Sequence, residues 1–419
     1  MSDLAAHVDE LCTRARPAGR ALACLPDAQR VAALQAAADA IEAARDEIIA
    51  ANEQDLARSE EFGLSEAMID RLRLDADRIA GIASDLRDVA AQKDPIGRVL
   101  DEREIAQGLQ LQKVAVPIGV VAIIFESRPN VTVDAAALCV RSGNACILRG
   151  GKEAVHSNRA LAAAFRRGLE QAAVPADAVQ LVQHQERDLV PLLLARDDSI
   201  DIVVPRGGEG LIRAVVDVAR MPVVKHDKGV CSLYVHREAD QAMALALALN
   251  AKCQRPGVCN AIENLLVDAA IAAEFLPQLD AAMHAAGVTL RGDAEALPHL
   301  AHGEAATDED WDTEYLALIL AVKVVADLDE AIAFTNAHGS GHSDSIVTAD
   351  HAAAERYLRE VDSAAVYHNA STRFTDGAQF GLGAEVGIST NRLHARGPMG
   401  VADLCTYKYV VRGTGQARK

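Results

Sequence analysis

Aromatic residues are scarce in this sequence: only 3% of the 419 residues are Phe, Trp or Tyr, so the core must be aliphatic. Basic residues are also in short supply, because 42 Lys and Arg stand against 60 Asp and Glu, a formal net charge of −18. Such a charge repels nucleic acid and anionic membrane surfaces. No apolar run approaches the roughly 18 residues of a membrane-spanning helix. We therefore expect a protein that binds neither nucleic acid nor membranes.

The sequence also lacks a CxxC pair, although it has eight cysteines, so neither a zinc knuckle nor a disulfide framework is indicated. The pair His338 and His342 lies on glycine-rich sequence without nearby carboxylates, and we expect no metal site there. A Gly-x-Ser-x-Gly elbow of serine hydrolases is missing too. Because the N-terminal segment is acidic and amphipathic rather than signal-like, we expect reduced thiols and a cytoplasmic location. The cysteines are Cys12, Cys24, Cys139, Cys146, Cys231, Cys253, Cys259 and Cys405.

The chain does have the length and composition of a two-domain globular protein. Half of its residues are hydrophobic and 24% are charged, and 419 residues suffice for two domains of about 150 residues or more. Residues 4–92 are rich in Ala and have helical periodicity, which predicts a layer of helices. The stretch 108–114 then alternates apolar and polar side chains, which predicts a half-exposed strand at an edge or an interface.

Short apolar runs, each followed by a segment of helical length, occupy most of the remaining sequence. This alternation predicts parallel α/β sheets. The runs fall into two series, so the predicted fold class is α/β with two open α/β domains, and residues 407–411 predict one more strand. The first series is Val120–Phe125, Ala145–Leu148, Val179–Val182 and Ile200–Val204. The second series is Leu233–Val235, Leu265–Val267, Leu316–Val325, Ile346–Val347 and Ala364–Tyr367.

Cys259 is the cysteine whose surroundings favour reactivity. Pro256 and Gly257 predict a turn just before it, and a predicted strand follows it. A cysteine on such a loop can be exposed and act as a nucleophile, whereas most cysteines are inert buried thiols. The loop alone does not decide between the two interpretations.

Asn130 and Arg128 lie directly after the apolar run Val120–Phe125. Active sites of parallel α/β sheets collect at the carboxyl ends of strands. An amide there can donate to an oxyanion, and an arginine can bind a phosphate. The alternative for Asn130 is that it caps the following helix.

Two glycine pairs follow predicted strands and precede predicted helices. Gly207 and Gly208 offer backbone N–H groups to a phosphate. Arg149 and Lys152 bring two cations to the pair Gly150 and Gly151. Either pair can instead be a simple tight turn.

Together these segments resemble the gamma-glutamyl phosphate reductases, a branch of the aldehyde dehydrogenase superfamily, over essentially the whole chain. The blocks that carry the resemblance are VAVPIGVVAIIFESRPNVTVDAAALCVRSGNACILRGGKEA, VVKHDKGVCSLYV, NAKCQRPGVCNAIENLLV, EVGISTNRLHARGPMG and DLCTYKYVVRG. The resemblance implies that Cys259 is the catalytic thiol, in the place of the GQxC cysteine, and that Asn130 is the oxyanion asparagine.

The resemblance also implies an NADP(H) site. Arg149 stands at the Lys of the KPxE motif, and Lys152 stands where NAD-using members often carry a ribose-binding Glu. A cation there favours the 2′-phosphate of NADP, although Glu153 is adjacent and a shift of one residue weakens this argument. Glu314 resembles the glutamate of the ExFGP motif, without its Phe-Gly-Pro, and Gly207 and Gly208 are further cofactor candidates.

One family residue is missing. The ELGGK block, whose Glu activates water against the thioester, reads Lys-His-Asp-Lys-Gly at residues 225–229. This loss agrees with an enzyme that protects its thioester from water and reacts with phosphate. The expected activity is NADPH-dependent reduction of L-glutamyl 5-phosphate to L-glutamate 5-semialdehyde, the second step of proline biosynthesis. The alternatives are another acylating or general aldehyde dehydrogenase, or a catalytically silent metabolite-binding subunit.

The resemblance further implies a domain division and partners. We expect residues 1–98 and 117–226 to bind NADP, residues 227–395 to form the catalytic domain, and residues 99–116 and 396–419 to form oligomerisation strands. The expected assembly is a dimer or larger homo-oligomer, with glutamate 5-kinase as a candidate partner. For the substrate we expect Arg128, Arg255, Ser371 and Thr372 as ligands, although the last two can equally form an ordinary polar turn.

Overall fold

A computed structural model describes residues 2–225 and 228–418. Its helices alternate with strands through most of the chain. The helices are α1 Ser2–Ala23, α2 Asp27–Ala43, α3 Arg45–Leu56, α4 Glu66–Leu72, α5 Ala76–Ala91, α6 Val131–Arg141, α7 Val155–Gln171, α8 Leu189–Leu194, α9 Glu209–Val218, α10 Gln241–Cys253, α11 Ala269–Ala285, α12 Leu328–His338 and α13 His351–Glu360.

The strands are β1 Val99–Ile105, β2 Leu109–Pro117, β3 Val120–Phe125, β4 Ala145–Gly150, β5 Val179–Leu181, β6 Ile202–Arg206, β7 Cys231–Val235, β8 Ile262–Asp268, β9 Thr289–Gly292, β10 Glu304–Ala305, β11 Ile319–Val325, β12 Ser343–Val347, β13 Ala365–His368, β14 Ile388–Ser389, β15 Gly397–Pro398 and β16 Cys405–Arg412. Among the described residues, no helix is long and apolar enough to cross a membrane.

The chain divides into two compact units. Unit 1 comprises the described residues of Met1–Lys225, Gly381–Gly387 and Met399–Lys419, and unit 2 comprises those of His226–Phe380 and Ile388–Pro398. The predicted α/β fold class is confirmed, because both units are built around parallel sheets.

Unit 1 contains a four-stranded parallel sheet in the order β5-β4-β3-β6. Every residue of β3 is buried, because helices cover the faces of parallel sheets and central strands therefore consist of continuous apolar runs. The helical N-terminal layer, α1 to α5, is also confirmed. The small side chains Ala33, Ala37 and Ala38 lie buried on α2, where they allow close helix packing.

The half-exposed strand predicted at residues 108–114 exists as β2, but of the two positions expected for it, an edge or an interface, the edge is wrong. β2 is the central strand of an antiparallel sheet in the order β1-β2-β16. It pairs with β1 through a tight hairpin and with β16 from Cys405–Pro117 to Arg412–Gln110. The segments 108–114 and 407–411, for which the sequence predicted no partner strand, therefore pair with each other within one chain. The edge strands of this sheet are β1 and β16.

Unit 2 contains a seven-stranded parallel sheet in the order β10-β9-β11-β8-β7-β12-β13, and β14 pairs with β15. All seven residues of β8 are buried. The loop that precedes β8 holds Cys259, and the loop that follows β13 holds Ser371 and Thr372. β11 begins at Ile319, three residues after the predicted Leu316, whose φ of 54° is incompatible with a strand.

Candidate active site

Cys259 is a half-buried cysteine that forms no disulfide and lies in the turn between α10 and β8. The Cys231 thiol, on the neighbouring strand β7, donates to the Cys259 carbonyl oxygen at 3.2 Å. A Cβ at Gly229 would overlap the backbone of Cys259, so only glycine allows this close approach. The backbone that carries the thiol is therefore fixed from two sides.

The residue after the thiol ties this turn to the loop that follows β13. Asn260 Nδ2 donates to the Thr375 carbonyl at 2.9 Å, and Thr372 Oγ1 donates to the Asn260 carbonyl at 2.7 Å. Ser371 Oγ accepts the Arg373 N–H at 3.3 Å. Ser371 and Thr372 are buried, and the Thr372 hydroxyl holds this loop beside the cysteine turn, whereas Ser371 Oγ bonds within the loop itself. Their expected contact with the α-carboxylate stays a prediction.

Arg373 is not among the residues predicted from the sequence, although it directly follows the predicted pair Ser371 and Thr372. Its side chain is half-buried, and Nε donates to Gln254 Oε1 at 2.8 Å. Burial, and then Arg255, lower the pKa of Arg373, while Cys259 and Asp376 oppose this shift. Arg373 thus lies within electrostatic reach of the predicted nucleophile. Arg255 is exposed on the cysteine turn.

A cleft of about 290 Å³ opens beside this loop. Its lining combines one cation, one anion, three amide side chains and one aromatic ring. The lining residues are Asn250, Gln254, Arg373, Phe374, Asp376 and Gln379.

Glu314 lies on a second loop, which approaches the cysteine turn at Gly257. A Cβ added to Gly257 would lie 3.7 Å from the carbonyl oxygen of Leu316, a residue of this second loop. Glu314 itself is half-buried. Two residues later, the Leu316 N–H donates to Glu263 Oε1 at 3.3 Å. Glu263 therefore helps to hold the unusual backbone of Leu316 in place.

A fully buried ion pair supports this contact. Lys252 Nζ binds Glu263 Oε2 and also donates to the Ile262 carbonyl at 3.0 Å. Burial raises the pKa of Glu263 to about 7 and lowers the pKa of Lys252, and each partner opposes the shift of the other. The pair was not predicted, because neither residue belongs to a recognisable motif.

In unit 1, Asn130 lies between β3 and α6, at the carboxyl end of a central strand as predicted. Asn130 occupies the N-cap position of α6, as the alternative predicted, but its side chain makes no capping hydrogen bond there. Instead, Nδ2 donates to Asp134 Oδ2 at 2.8 Å. Burial, reinforced by Asp85, raises the pKa of Asp134 to about 7, against the opposing effects of Asn130 and Arg206.

The turn before Asn130 is held by the carboxylate of Glu153. Ser127 has a φ of 42°, and Glu153 Oε1 accepts both its N–H, at 2.6 Å, and its Oγ–H, at 2.9 Å. Arg128 is exposed in the same turn. Lys152 is exposed as well, with Nζ 4.9 Å from the centre of the Phe62 ring. Of the adjacent residues Lys152 and Glu153, the lysine is thus the more accessible to a cofactor.

Arg149 is the last residue but one of β4, its guanidinium is half-buried, and burial lowers its pKa. Its Nη2 donates to the Gln185 carbonyl at 3.5 Å, whereas the buried Nε has no hydrogen-bond partner among the described residues. A buried, unsatisfied N–H of a cation is suited to an anionic ligand.

The expectation of free backbone N–H groups at Gly207 and Gly208 holds only in part. The Gly208 N–H donates to Glu126 Oε2 at 3.2 Å, because Glu126 directly follows β3, which neighbours β6. A Cβ at Gly207 would overlap the same carboxylate. An acid therefore lies at the start of α9, where sequence alone predicted a phosphate.

The structure brings the predicted residues together in two groups. In unit 2, the cysteine turn meets both the loop of Ser371 and Thr372 and the loop of Glu314. In unit 1, the ends of β3, β4 and β6 hold the other set, namely Arg128, Asn130, Arg149, Lys152, Gly207 and Gly208. His226 and Asp227, from the block that replaces ELGGK, lie outside the described residues. Within the parts of the chain that are described, no cluster of three or more His, Cys, Asp or Glu could hold a metal ion.

Comparisons with known proteins agree on one family. The model of the aldehyde dehydrogenase family matches residues 2–298 and 297–395. The gamma-glutamyl phosphate reductase of Magnetococcus marinus is 51% identical over 98% of each chain, and that of Nautilia profundicola is 55% identical over 86% of this chain and 88% of its own. A crystal structure of the gamma-glutamyl phosphate reductase of Thermotoga maritima superposes with a TM-score of 0.96 at 42% identity, covering 99% of this chain and all of that one.

Proposed function

Because this chain belongs to the aldehyde dehydrogenase family, and within it to the gamma-glutamyl phosphate reductases, we propose that it reduces L-glutamyl 5-phosphate to L-glutamate 5-semialdehyde. The reaction releases phosphate and is the second step of proline biosynthesis from glutamate. The observation that carries this proposal is the half-buried Cys259 thiol on a turn fixed by Gly229 and Cys231. Such a turn suits a nucleophile that must form and then release an acyl group.

The Cys259 thiolate attacks the γ-carbonyl carbon of the acyl phosphate, and phosphate leaves with the electrons of the broken C–O bond. The side-chain amide of Asn130 and the backbone N–H of Cys259 donate to the oxyanion that develops. A thioester on Cys259 results. Residues 225–229 contain no glutamate that could activate water, so the thioester persists until it is reduced.

The cofactor is NADPH, which supplies the hydride that reduces the thioester to the aldehyde. The buried, unpartnered Nε of Arg149 and the exposed ammonium of Lys152 fit an anionic group such as its 2′-phosphate. Glu314 is assigned to the nicotinamide ribose, and the turn at Gly207 and Gly208 to the diphosphate. For the diphosphate to reach the Gly208 N–H, Glu126 must move aside.

An absorbance assay of the reverse reaction tests this function. With L-glutamate 5-semialdehyde and NADP⁺, NADPH formation beyond one equivalent per active site should require phosphate, and it should be slower with NAD⁺. Cys259→Ser should abolish it, because a hydroxyl is a much weaker nucleophile at neutral pH. Sustained NADPH formation without phosphate would indicate a hydrolytic aldehyde dehydrogenase, turnover that needs coenzyme A would indicate an acylating one, and no reaction under any condition would indicate a silent subunit.

We also propose a cytoplasmic enzyme that assembles as a dimer or a larger homo-oligomer. None of the eight cysteines forms a disulfide, which supports the location. The sheet of β1, β2 and β16 exposes Val99, Leu100, Tyr407, Tyr409 and Val411, and exposed apolar side chains on edge strands favour association. Light scattering that gave the mass of one chain for the active enzyme would contradict this assembly. A contact with glutamate 5-kinase stays a prediction.

A further inference from the structure

The cleft beside the cysteine turn carries two opposite charges on one short loop. Arg373 and Asp376 both line it and are separated by only three positions in the chain. Three amide side chains, those of Asn250, Gln254 and Gln379, complete the polar lining. A cleft of this kind suits a zwitterionic ligand group, which carries one positive and one negative charge.

Neighbouring groups fix the positions of both charges. Arg373 Nε is held by Gln254 Oε1 at 2.8 Å, which sets the plane of the guanidinium. Asp376 Oδ1 accepts the Ala378 N–H at 2.9 Å and the Gln379 N–H at 3.4 Å, which sets the orientation of the carboxylate. Because these side chains are already ordered, less entropy is lost when they bind a ligand.

The loop is also tied to the nucleophile. Asn260, the residue after Cys259, donates to the carbonyl oxygens of Arg373 and Thr375. Arg373 and Cys259 influence each other electrostatically. The loop that lines the cleft is therefore anchored to the residue after the nucleophile, which makes the cleft the candidate site for the far end of a substrate that reacts at Cys259.

We propose that Arg373 and Asp376 form a subsite for the α-amino acid end of the substrate, in which Arg373 binds the α-carboxylate and Asp376 binds the α-ammonium. This inference rests on the proposed function, since it concerns the far end of the glutamyl group. The chain has a net charge of −18, so an anionic substrate needs a locally placed cation. An arginine offers two parallel N–H groups to a carboxylate.

Three aldehydes of equal chain length separate the two contacts: L-glutamate 5-semialdehyde (2-amino-5-oxopentanoate), 5-oxopentanoate, which lacks the ammonium, and pentanal, which lacks both charges. Their kcat/KM is measured with phosphate and NADP⁺. Arg373→Gln should lower kcat/KM by roughly 10- to 100-fold for the two carboxylates and leave pentanal unchanged. Asp376→Asn, which keeps the Oδ1 acceptor, should lower it only for the amino acid.

Arg359→Gln is the matched control, because Arg359 is an exposed arginine of α13 that pairs with Glu360. It should change none of the three values. A loss that is equal for all three aldehydes in Arg373→Gln would overturn the proposal, because Arg373 would then support the loop in general. A raised KM for phosphate with pentanal would also overturn it, since Arg373 would then bind the leaving group.

The test separates this inference from the proposed function. If the wild-type enzyme does not oxidise L-glutamate 5-semialdehyde in the presence of phosphate, the proposed function fails. If the wild type does so and both variants retain its preference for the amino acid over 5-oxopentanoate and pentanal, only the subsite is wrong.

Discussion

Asn130 reaches Asp134 across one turn of α6, and this contact orients the amide that we assign to the oxyanion. One N–H of the amide is used by Asp134 Oδ2 at 2.8 Å, which leaves the second N–H for the substrate. The sequence predicts Asn130 as a site residue but does not predict its partner Asp134. Asn130 and Asp134 are four residues apart, a spacing that brings side chains together on a helix. This spacing becomes informative only when Asn130 is known to lie at the start of a helix.

Replacement of Asn130 tests its role at the residue scale. Asn130→Ala should lower kcat by about 10²–10³-fold, the usual loss for one oxyanion donor, with a smaller change in KM for the aldehyde. Steady-state kinetics with L-glutamate 5-semialdehyde, phosphate and NADP⁺ measure it. A change in KM alone would make Asn130 a substrate-positioning residue instead.

Asp134 makes stability depend on pH. Its pKa is raised to about 7 in the folded protein, against about 3.9 in an unfolded chain, so the folded state binds the proton more tightly. The resulting stabilisation is fully present below pH of about 4 and is lost as the pH rises through about 7. The urea midpoint of the wild type should therefore fall relative to that of Asp134→Asn from about pH 4 to about pH 7 and change no further above that.

Asp77→Asn is the control for this measurement, because Asp77 is exposed in the first turn of α5. Its midpoint should follow the wild type across the pH range. Parallel curves for the wild type and Asp134→Asn would contradict the raised pKa of Asp134.

At the scale of elements, the buried central strands were predictable and the short peripheral ones were not. β3 coincides with the predicted Val120–Phe125, because a strand buried on both faces must be apolar throughout. β10, β14 and β15 have two residues each, too few for any periodicity to appear. The pairing of β2 with β16 joins segments about 300 residues apart, and no local pattern encodes such a contact.

The Lys252–Glu263 pair connects α10 to β8 on either side of the cysteine turn. Lys252→Met should lower the free energy of unfolding of this part of the protein by about 3–5 kcal/mol, because it leaves Glu263 as a buried charge without its partner. Adding Glu263→Gln should recover part of the loss. Urea unfolding measures both effects, and equal stability of Lys252→Met and the wild type would show that the pair is not needed.

On the scale of the whole molecule, an acidic chain carries its candidate functional cations at strand ends and in the segments that follow them. The sequence predicted this arrangement and located Arg149 and Lys152 at strand ends, because motifs and strand boundaries are local features. It could not identify Arg373 or the cleft that Arg373 shares with Asp376. The cleft depends on how the loop of residues 371–376 folds onto the cysteine turn, which brings its side chains next to those at the end of α10.

The central claim is that Cys259 carries a thioester that phosphate, and not water, discharges in the reverse reaction. The most direct test mixes the enzyme with L-glutamate 5-semialdehyde and NADP⁺ without phosphate, follows NADPH by absorbance, and maps adducts by peptide mass spectrometry. We predict a rapid burst of one NADPH per active site, a glutamyl adduct on Cys259, and renewed turnover when phosphate is added. Sustained NADPH formation without phosphate, or an adduct on a residue other than Cys259, would contradict the account.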